Sequence, residues 1–390
     1  MKFFLLFVLI IWGGSCSLEK IDDTIITTLP NFETHFVAEA NKTVSVESVV
    51  EAIDGGYIIS GQMYDVNFFS TIFIIKTSKT GSFEKKITSF GNNFGEILGG
   101  KLIRISDGYL IEGSEGGGGA SQIFAAKLRP DLTIAWAKTY GIASRDEKGG
   151  DLILSSKGEL IVAGNNGTFT SNFPFLLRIN TDNGNLLDSA TITNPIFGRY
   201  FPVSMILNGT SIGIMGYNFG ISIPIPFFMK IDEMLKPLIA YKRLEDIGGG
   251  TGVLVPGAGD GFVIIDGIVT QLKRQAYVTS INGNGDKIGK FDQFPLLAES
   301  GFLGGARHTN GKYIACGWGG QTLGVDYFGE VALLTASLSV ETTYEFKESN
   351  KSIEFTAANS VSDGGYLLAG SYNNAKEIIL VKLNNQFKLQ

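Results

Sequence analysis

Seven glycines recur along the sequence at nearly constant spacing: Gly61, Gly113, Gly164, Gly216, Gly267, Gly317 and Gly370, whose positions differ by 52, 51, 52, 51, 50 and 53. Most close a short apolar run, as in Gly56-Tyr-Ile-Ile-Ser-Gly61, Gly108-Tyr-Leu-Ile-Glu-Gly113, Lys312-Tyr-Ile-Ala-Cys-Gly317 and Gly365-Tyr-Leu-Leu-Ala-Gly370. A hairpin signal precedes each one: Asp54-Gly55-Gly56, Asp107-Gly108, Lys157-Gly158, Asn208-Gly209, Asp260-Gly261, Asn310-Gly311 and Asp363-Gly364-Gly365. Asn-Gly and Asp-Gly suit two-residue turns because both central residues need positive φ. A period near 50 with several strands in it indicates radial β repetition. A chain of 390 residues would otherwise suggest two or three domains.

Each repeat reads as four strands. The first is rich in small residues, as in Leu98-Gly-Gly-Lys101 and Gly304-Gly-Ala306, which suits close approach around a common axis. The second ends at the periodic glycine. The third is apolar and ends in a cation, as in Ile72-Phe-Ile-Ile-Lys76, Ile123-Phe-Ala-Ala-Lys127, Phe227-Phe-Met-Lys230 and Ile378-Ile-Leu-Val-Lys382. A fourth follows, for example from Phe83 or Thr133. The last repeat has only Phe387–Gln390 left for its fourth strand, whereas Phe32–Val37 stands spare at the other end. The expectation is an all-β, seven-bladed β-propeller of four-stranded antiparallel blades over 32–390, closed by that N-terminal strand. Closure would remove open sheet edges.

The hairpin–Tyr–Gly pattern and the cation-terminated third strand resemble the repeat β-propellers of secreted and lipid-anchored prokaryotic proteins, distantly kelch- or WD40-like. The chain lacks the Trp-Asp of WD40 repeats and the glycine pair of kelch repeats, and the likeness implies a fold rather than an activity. At the N-terminus, Lys2 and the apolar run Phe3–Trp12 read as an export leader. Gly13-Gly14-Ser15-Cys16 resembles the lipobox of bacterial lipoproteins, with Gly13 where a large aliphatic residue is usual. That resemblance implies a leader over 1–15, acylation of Cys16, a tether over 16–31, and a site at the outer membrane or cell surface. Plain secretion is the alternative.

A net charge of −6 without any basic cluster argues against nucleic acid. Cys316 is the one cysteine within the repeats, so no intramolecular disulfide is expected there, and its place in an apolar strand suits an inert thiol. His35 and His308 are the only histidines and have no zinc-ligand spacing; Gly116–Gly119 lacks the Lys-Ser/Thr of a phosphate loop. No cofactor or metal is expected, and the protein is expected to be a monomer.

Two sets of loops could carry function. Those after the periodic glycines bring aromatic rings beside amides: Tyr64, Phe68, Asn165, Phe169, Tyr217, Trp318, Tyr327 and Tyr372. Such residues could grip a sugar or peptide, or could cap the blade ends. Loops leading into the first strand carry Glu96, Glu147, Glu299 and Glu354 at similar distances before the glycine, with Arg199 in the fourth repeat and Val44 in the first. Close carboxylates there could include one with a raised pKa. These residues suggest a non-catalytic binding or scaffold module of the cell envelope, contacting a protein or polysaccharide. The alternative is a carboxylate-dependent glycan lyase or hydrolase.

Overall fold

The computed structural model describes residues 31–389 except 38, 40, 68, 89, 91–96, 117–120, 143–144, 168–171, 194–198, 220–223, 245–251, 271–272, 294–298 and 321–326. Among the described residues the fold is all-β, with no helix. The first repeat forms the antiparallel sheet β2 (Thr43–Glu51), β3 (Tyr57–Tyr64), β4 (Ser70–Thr77) and β5 (Phe83–Ile87). The second is β6 (Ile97–Ile105), β7 (Gly108–Glu115), β8 (Gln122–Leu128) and β9 (Ile134–Tyr140). The third comprises β10 (Lys148–Leu154), β11 (Leu160–Gly167), β12 (Asn172–Ile179) and β13 (Leu186–Thr191). The fourth comprises β14 (Arg199–Asn208), β15 (Ser211–Phe219), β16 (Pro224–Asp232) and β17 (Pro237–Arg243). A parallel contact between Asn172 and Arg199 joins these two groups into one eight-stranded sheet. Two further four-stranded sheets follow, β18–β21 (Val253–Pro256, Phe262–Thr270, Lys273–Ile281, Lys287–Gln293) and β22–β25 (Glu299–Arg307, Tyr313–Gly320, Phe328–Leu334, Val340–Phe346). The last sheet takes β26–β28 (Ile353–Ser360, Tyr366–Tyr372, Glu377–Leu383) and adds β1 (Phe32–Phe36) against β28. Among the described residues six hydrogen-bonded sheets are therefore present where the periodicity predicts seven separate ones.

The periodic glycine has a cause that small residues on the first strand do not explain. In β2, β10, β14, β22 and β26 the register slips by one residue opposite it: Glu47, Gly150, Val203, Leu303 and Thr356 are each an extra residue. In β6 two residues, Gly100 and Lys101, stand in the gap between the Gly99–Gly113 and Leu102–Ile111 pairs. Such bulges bend the strand toward its partner. The carbonyl just before the glycine's partner then occupies the space of a side chain. A Cβ on Gly61 would lie 2.1 Å from the Ser45 oxygen, on Gly317 1.8 Å from Gly301, and on Gly370 1.9 Å from Glu354.

The remaining repeat motifs serve as ties. The third-strand cations reach the acid of a hairpin turn: Lys76 to Asp54, Lys127 to Asp107 at 2.7 Å, Arg178 to Glu159 at 3.2 Å, and Lys382 to Asp363. The tyrosines after the turns bridge to the preceding repeat: Tyr109 OH accepts from Ile53 N–H at 3.0 Å and Tyr313 OH donates to the Pro256 carbonyl at 3.3 Å. Apolar clusters fill the spaces between successive repeats, for example Tyr109 and Phe124 with Ile58 and Ile74. Another joins the last repeat to the first, with Leu367, Ala369 and Leu380 against Val46, Tyr57 and Phe73. Thr356 Oγ1 donates to the Val46 carbonyl at 2.7 Å across the same junction.

Candidate functional site

One cavity of about 1350 Å³ is lined by the first strand of every repeat: β2, β6, β10, β14, β18, β22 and β26 all contribute. The bulges determine what faces it. In a regular strand alternate residues point to opposite faces, but an extra residue breaks that alternation and re-aims a side chain. Glu47 is the extra residue of β2 and Lys101 belongs to the wider bulge of β6; both line the cavity. Asp151 follows the bulge at Gly150 and lines it too.

Lys101 Nζ crosses to the third and fourth repeats, lying 3.2 Å from Asp151 Oδ2 and donating to the Val203 carbonyl at 2.9 Å. Asp151 also accepts from Met205 N–H at 2.6 Å and Leu152 N–H at 2.8 Å. Burial pushes its carboxyl up, and the ammonium and these two amides oppose that push. Glu47 Oε1 accepts from Ser45 Oγ at 3.1 Å and Gln62 Nε2 at 3.4 Å. Burial raises the Glu47 pKa; Lys101 and the two hydrogen bonds pull it down, while Asp151 adds repulsion. Glu112, on β7, lies behind Gly149 and is 2% exposed, with no hydrogen-bond partner for its buried Oε2. Burial first, and repulsion from Asp151 and Glu47, push its carboxyl up to about 8 against the pull of Lys101. Three carboxyl groups thus share one ammonium. With the Glu112 carboxyl pushed up to about 8, that member of the set holds its proton at neutral pH.

Of the acidic residues singled out from the sequence, Glu354 lines the cavity. Glu147 is buried elsewhere, its Oε2 accepting from Ile142 N–H at 2.6 Å as a loop strut. Glu299 is buried at the start of β22, outside the cavity lining. Glu96 lies outside the described residues, as do Phe68, Phe169, Cys16 and the whole of 1–30.

The aromatic candidates divide similarly. Tyr217 and Asn165 line the cavity, and Asn165 Nδ2 donates to the Tyr200 carbonyl at 3.2 Å. Tyr64, half-buried on β3, and Tyr217 both lie in the field of Glu47. Burial, with Glu47 second, pushes the Tyr64 phenol up to about 12, and burial, Asp266 and Glu47 raise that of Tyr217. Trp318 is 3% exposed and packs on Tyr327, ring centroids 4.5 Å apart. Tyr372 is buried too, its OH on Glu348, its ring 4.1 Å from His35 and beneath Lys351. Trp318 and Tyr372 are thus packed within the fold.

Sequence reasoning passed over Glu47, Lys101, Glu112 and Asp151. A signal for two of them was present. Gly99-Gly-Lys-Leu102 and Gly149-Gly-Asp-Leu152 put opposite charges directly after a glycine pair at the same place in two first strands. Among the described residues no group of three or more His, Cys, Asp or Glu side chains is placed to hold a metal ion.

No protein-family model matches the sequence. No curated protein matches it either. Solved structures do match in shape. An ulvan lyase of polysaccharide lyase family PL25, solved bound to a GlcA(1-4)Rha3S unit, aligns over 91% of this chain and 96% of its own at a TM-score of 0.60 and 11% identity. The polysaccharide lyase Uly1 aligns over 87% and 90% at 0.52 and 10% identity. The NanB sialidase of Streptococcus pneumoniae, as its K499G mutant, aligns over 94% and 73% at 0.53 and 8% identity. Identities this low establish the β-propeller type of fold and nothing finer. The expectation of a non-catalytic envelope scaffold is corrected by these neighbours, which are polysaccharide lyases and a sialidase and so fit the alternative of a glycan lyase or hydrolase better. Kelch or WD40 kinship finds no support among them.

Proposed function

We propose that this chain is an exported glycan-active enzyme, a lyase or hydrolase, built as a closed seven-bladed propeller with its site in the axial cavity. Seven first strands around one cavity, apolar clusters between successive repeats including the last and first, and the β1–β28 pairing support the closed ring. The observation that carries the catalytic reading is Glu47, a carboxyl with a raised pKa that a bulge turns into the large cavity. A general acid or base works best when its pKa lies near the operating pH, and partial burial moves a glutamate that way. Glu47 would move a proton at the substrate: onto the glycosidic oxygen in hydrolysis, or from carbon in elimination. Tyr217, which lines the same cavity, presents a phenol ring that can stack on a sugar.

The test uses residues 31–390 expressed without the leader. Panels of neutral, uronate-containing and sialylated glycans are assayed for new reducing ends and for ultraviolet-absorbing unsaturated ends. Turnover that Glu47→Gln lowers by about 10²-fold or more is expected. Absence of turnover across the panels, or full activity in Glu47→Gln, would refute the proposal.

A further inference from the structure

We propose that Lys101 is the positioning residue of this cavity, a tethered cation that keeps Asp151 ionised and the Val203 carbonyl in place so that Glu47 is the carboxyl free to exchange a proton. The inference rests on the reading of Glu47 above and adds the group that governs it. The geometry is unusual for a lysine on an inner strand. The two-residue bulge of β6 throws Lys101 inward, and its ammonium spans to the third and fourth repeats to reach Asp151 at 3.2 Å and the Val203 carbonyl at 2.9 Å. Asp151 has three donors on its two oxygens, because Met205 N–H and Leu152 N–H complete the set. A carboxylate so fully donated to is the one of the three best able to hold charge away from bulk water.

Glu112 has no such partners and keeps its proton behind Gly149. Among the described residues Glu47 accepts from the Ser45 hydroxyl and the Gln62 amide, and the Gln62 side-chain carbonyl is itself anchored by Gly99 N–H at 3.1 Å on the bulged strand. The strand that carries Lys101 therefore also sets the orientation of Glu47. The charged groups around this centre come from several elements: Glu47 on β2, Lys148 and Asp151 on β10, Glu112 on β7, Glu354 on β26, and the Tyr217 phenol on β15. Among them Lys101 is the one cation that acts on all three carboxyl groups, Glu47, Glu112 and Asp151.

Two measurements on the uncomplexed protein test this without a substrate. The carboxyl carbon of Glu47 is titrated by NMR in wild type, Lys101→Gln and Lys101→Arg. Gln keeps a donor for the Val203 carbonyl but removes the charge, so the Glu47 midpoint should rise by about one pH unit or more, and Arg should restore it. In parallel, Lys101→Ala is melted with butylammonium, with tetramethylammonium and with sodium at equal ionic strength. A tethered cation predicts saturable rescue of the melting temperature by butylammonium alone, because only that ion can enter the vacated space and donate hydrogen bonds. A Glu47 midpoint unmoved in Lys101→Gln would overturn the proposal, as would equal effects of the three cations. Rescue and a shifted midpoint in a protein whose Glu47→Gln variant still turns over glycans would leave Lys101 as argued and sink the catalytic reading instead.

Discussion

Replacing Glu112 with Gln should stabilise this protein, and by an amount that grows with pH. The side chain is 2% exposed, its Oε2 has no partner, and repulsion from Asp151 and Glu47 adds to burial in raising its pKa from 4.5 to about 8. The folded protein therefore keeps Glu112 protonated while the unfolded chain releases that proton above about pH 4.5. Stability from the raised pKa is complete below the unfolded value and is lost as pH climbs toward the folded one. The loss runs at about 1.4 kcal/mol per pH unit, so by pH 7 the ceiling is about 3 kcal/mol, and mutual coupling among the three carboxyls lowers it. Gln has the same shape and cannot ionise. Denaturant unfolding of wild type and Glu112→Gln should give curves that nearly coincide at about pH 4.5 and diverge in favour of Gln up to about pH 8. Parallel stability curves would show that Glu112 is ionised in the native state and that its oxygen has a partner. A uniformly weaker Gln variant would show that the acid's own hydrogen bonding matters.

Two further substitutions probe the architecture. Gly61→Ala places a methyl group 2.1 Å from the Ser45 carbonyl and should cost about 2–4 kcal/mol in denaturant unfolding, whereas Gly209→Ala, with nothing within 4 Å, should cost only the roughly 1 kcal/mol of its left-handed backbone. Equal costs at both positions would mean the bulge is not what demands glycine. Trp318→Ala removes a buried ring packed on Tyr327 and should cost about 3–5 kcal/mol by the same measurement, with no loss of glycan affinity beyond what unfolding explains. A stable variant with weakened glycan binding would restore Trp318 as a contact residue.

The repeat was legible because each of its marks answers to a local physical demand. The hairpin dipeptides do mark turns, and Gly55, Gly158, Gly209, Gly311 and Gly364 all have positive φ, but the residue before each does not, so the expected two-residue turn with both central residues at positive φ is not the one formed. The cation after the third strand was legible as a mark of the repeat, but its partner, the turn acid some 20 positions earlier in the same repeat, as for Lys76 and Asp54, emerges only when the strands pair. The centre of the molecule was hidden for a different reason. A strand reading assigns faces by strict alternation, and under that rule Val46, Glu47 and Ser48 cannot be sorted correctly, because one of them is an extra residue. Bulges carry no sequence signature of their own beyond the glycine opposite, so the feature that makes the repeat visible is also the one that conceals what faces the cavity. Glu147 and Trp318 are both buried, which their place in the sequence does not reveal. Charge and aromaticity in a sequence say what a side chain can do, whereas the 2.6 Å bond from Ile142 N–H to Glu147 and the Trp318–Tyr327 ring contact arise only from the folded chain. In a propeller the residues with freedom to act are those the axis leaves unpacked, and the bulges of the first strands select them.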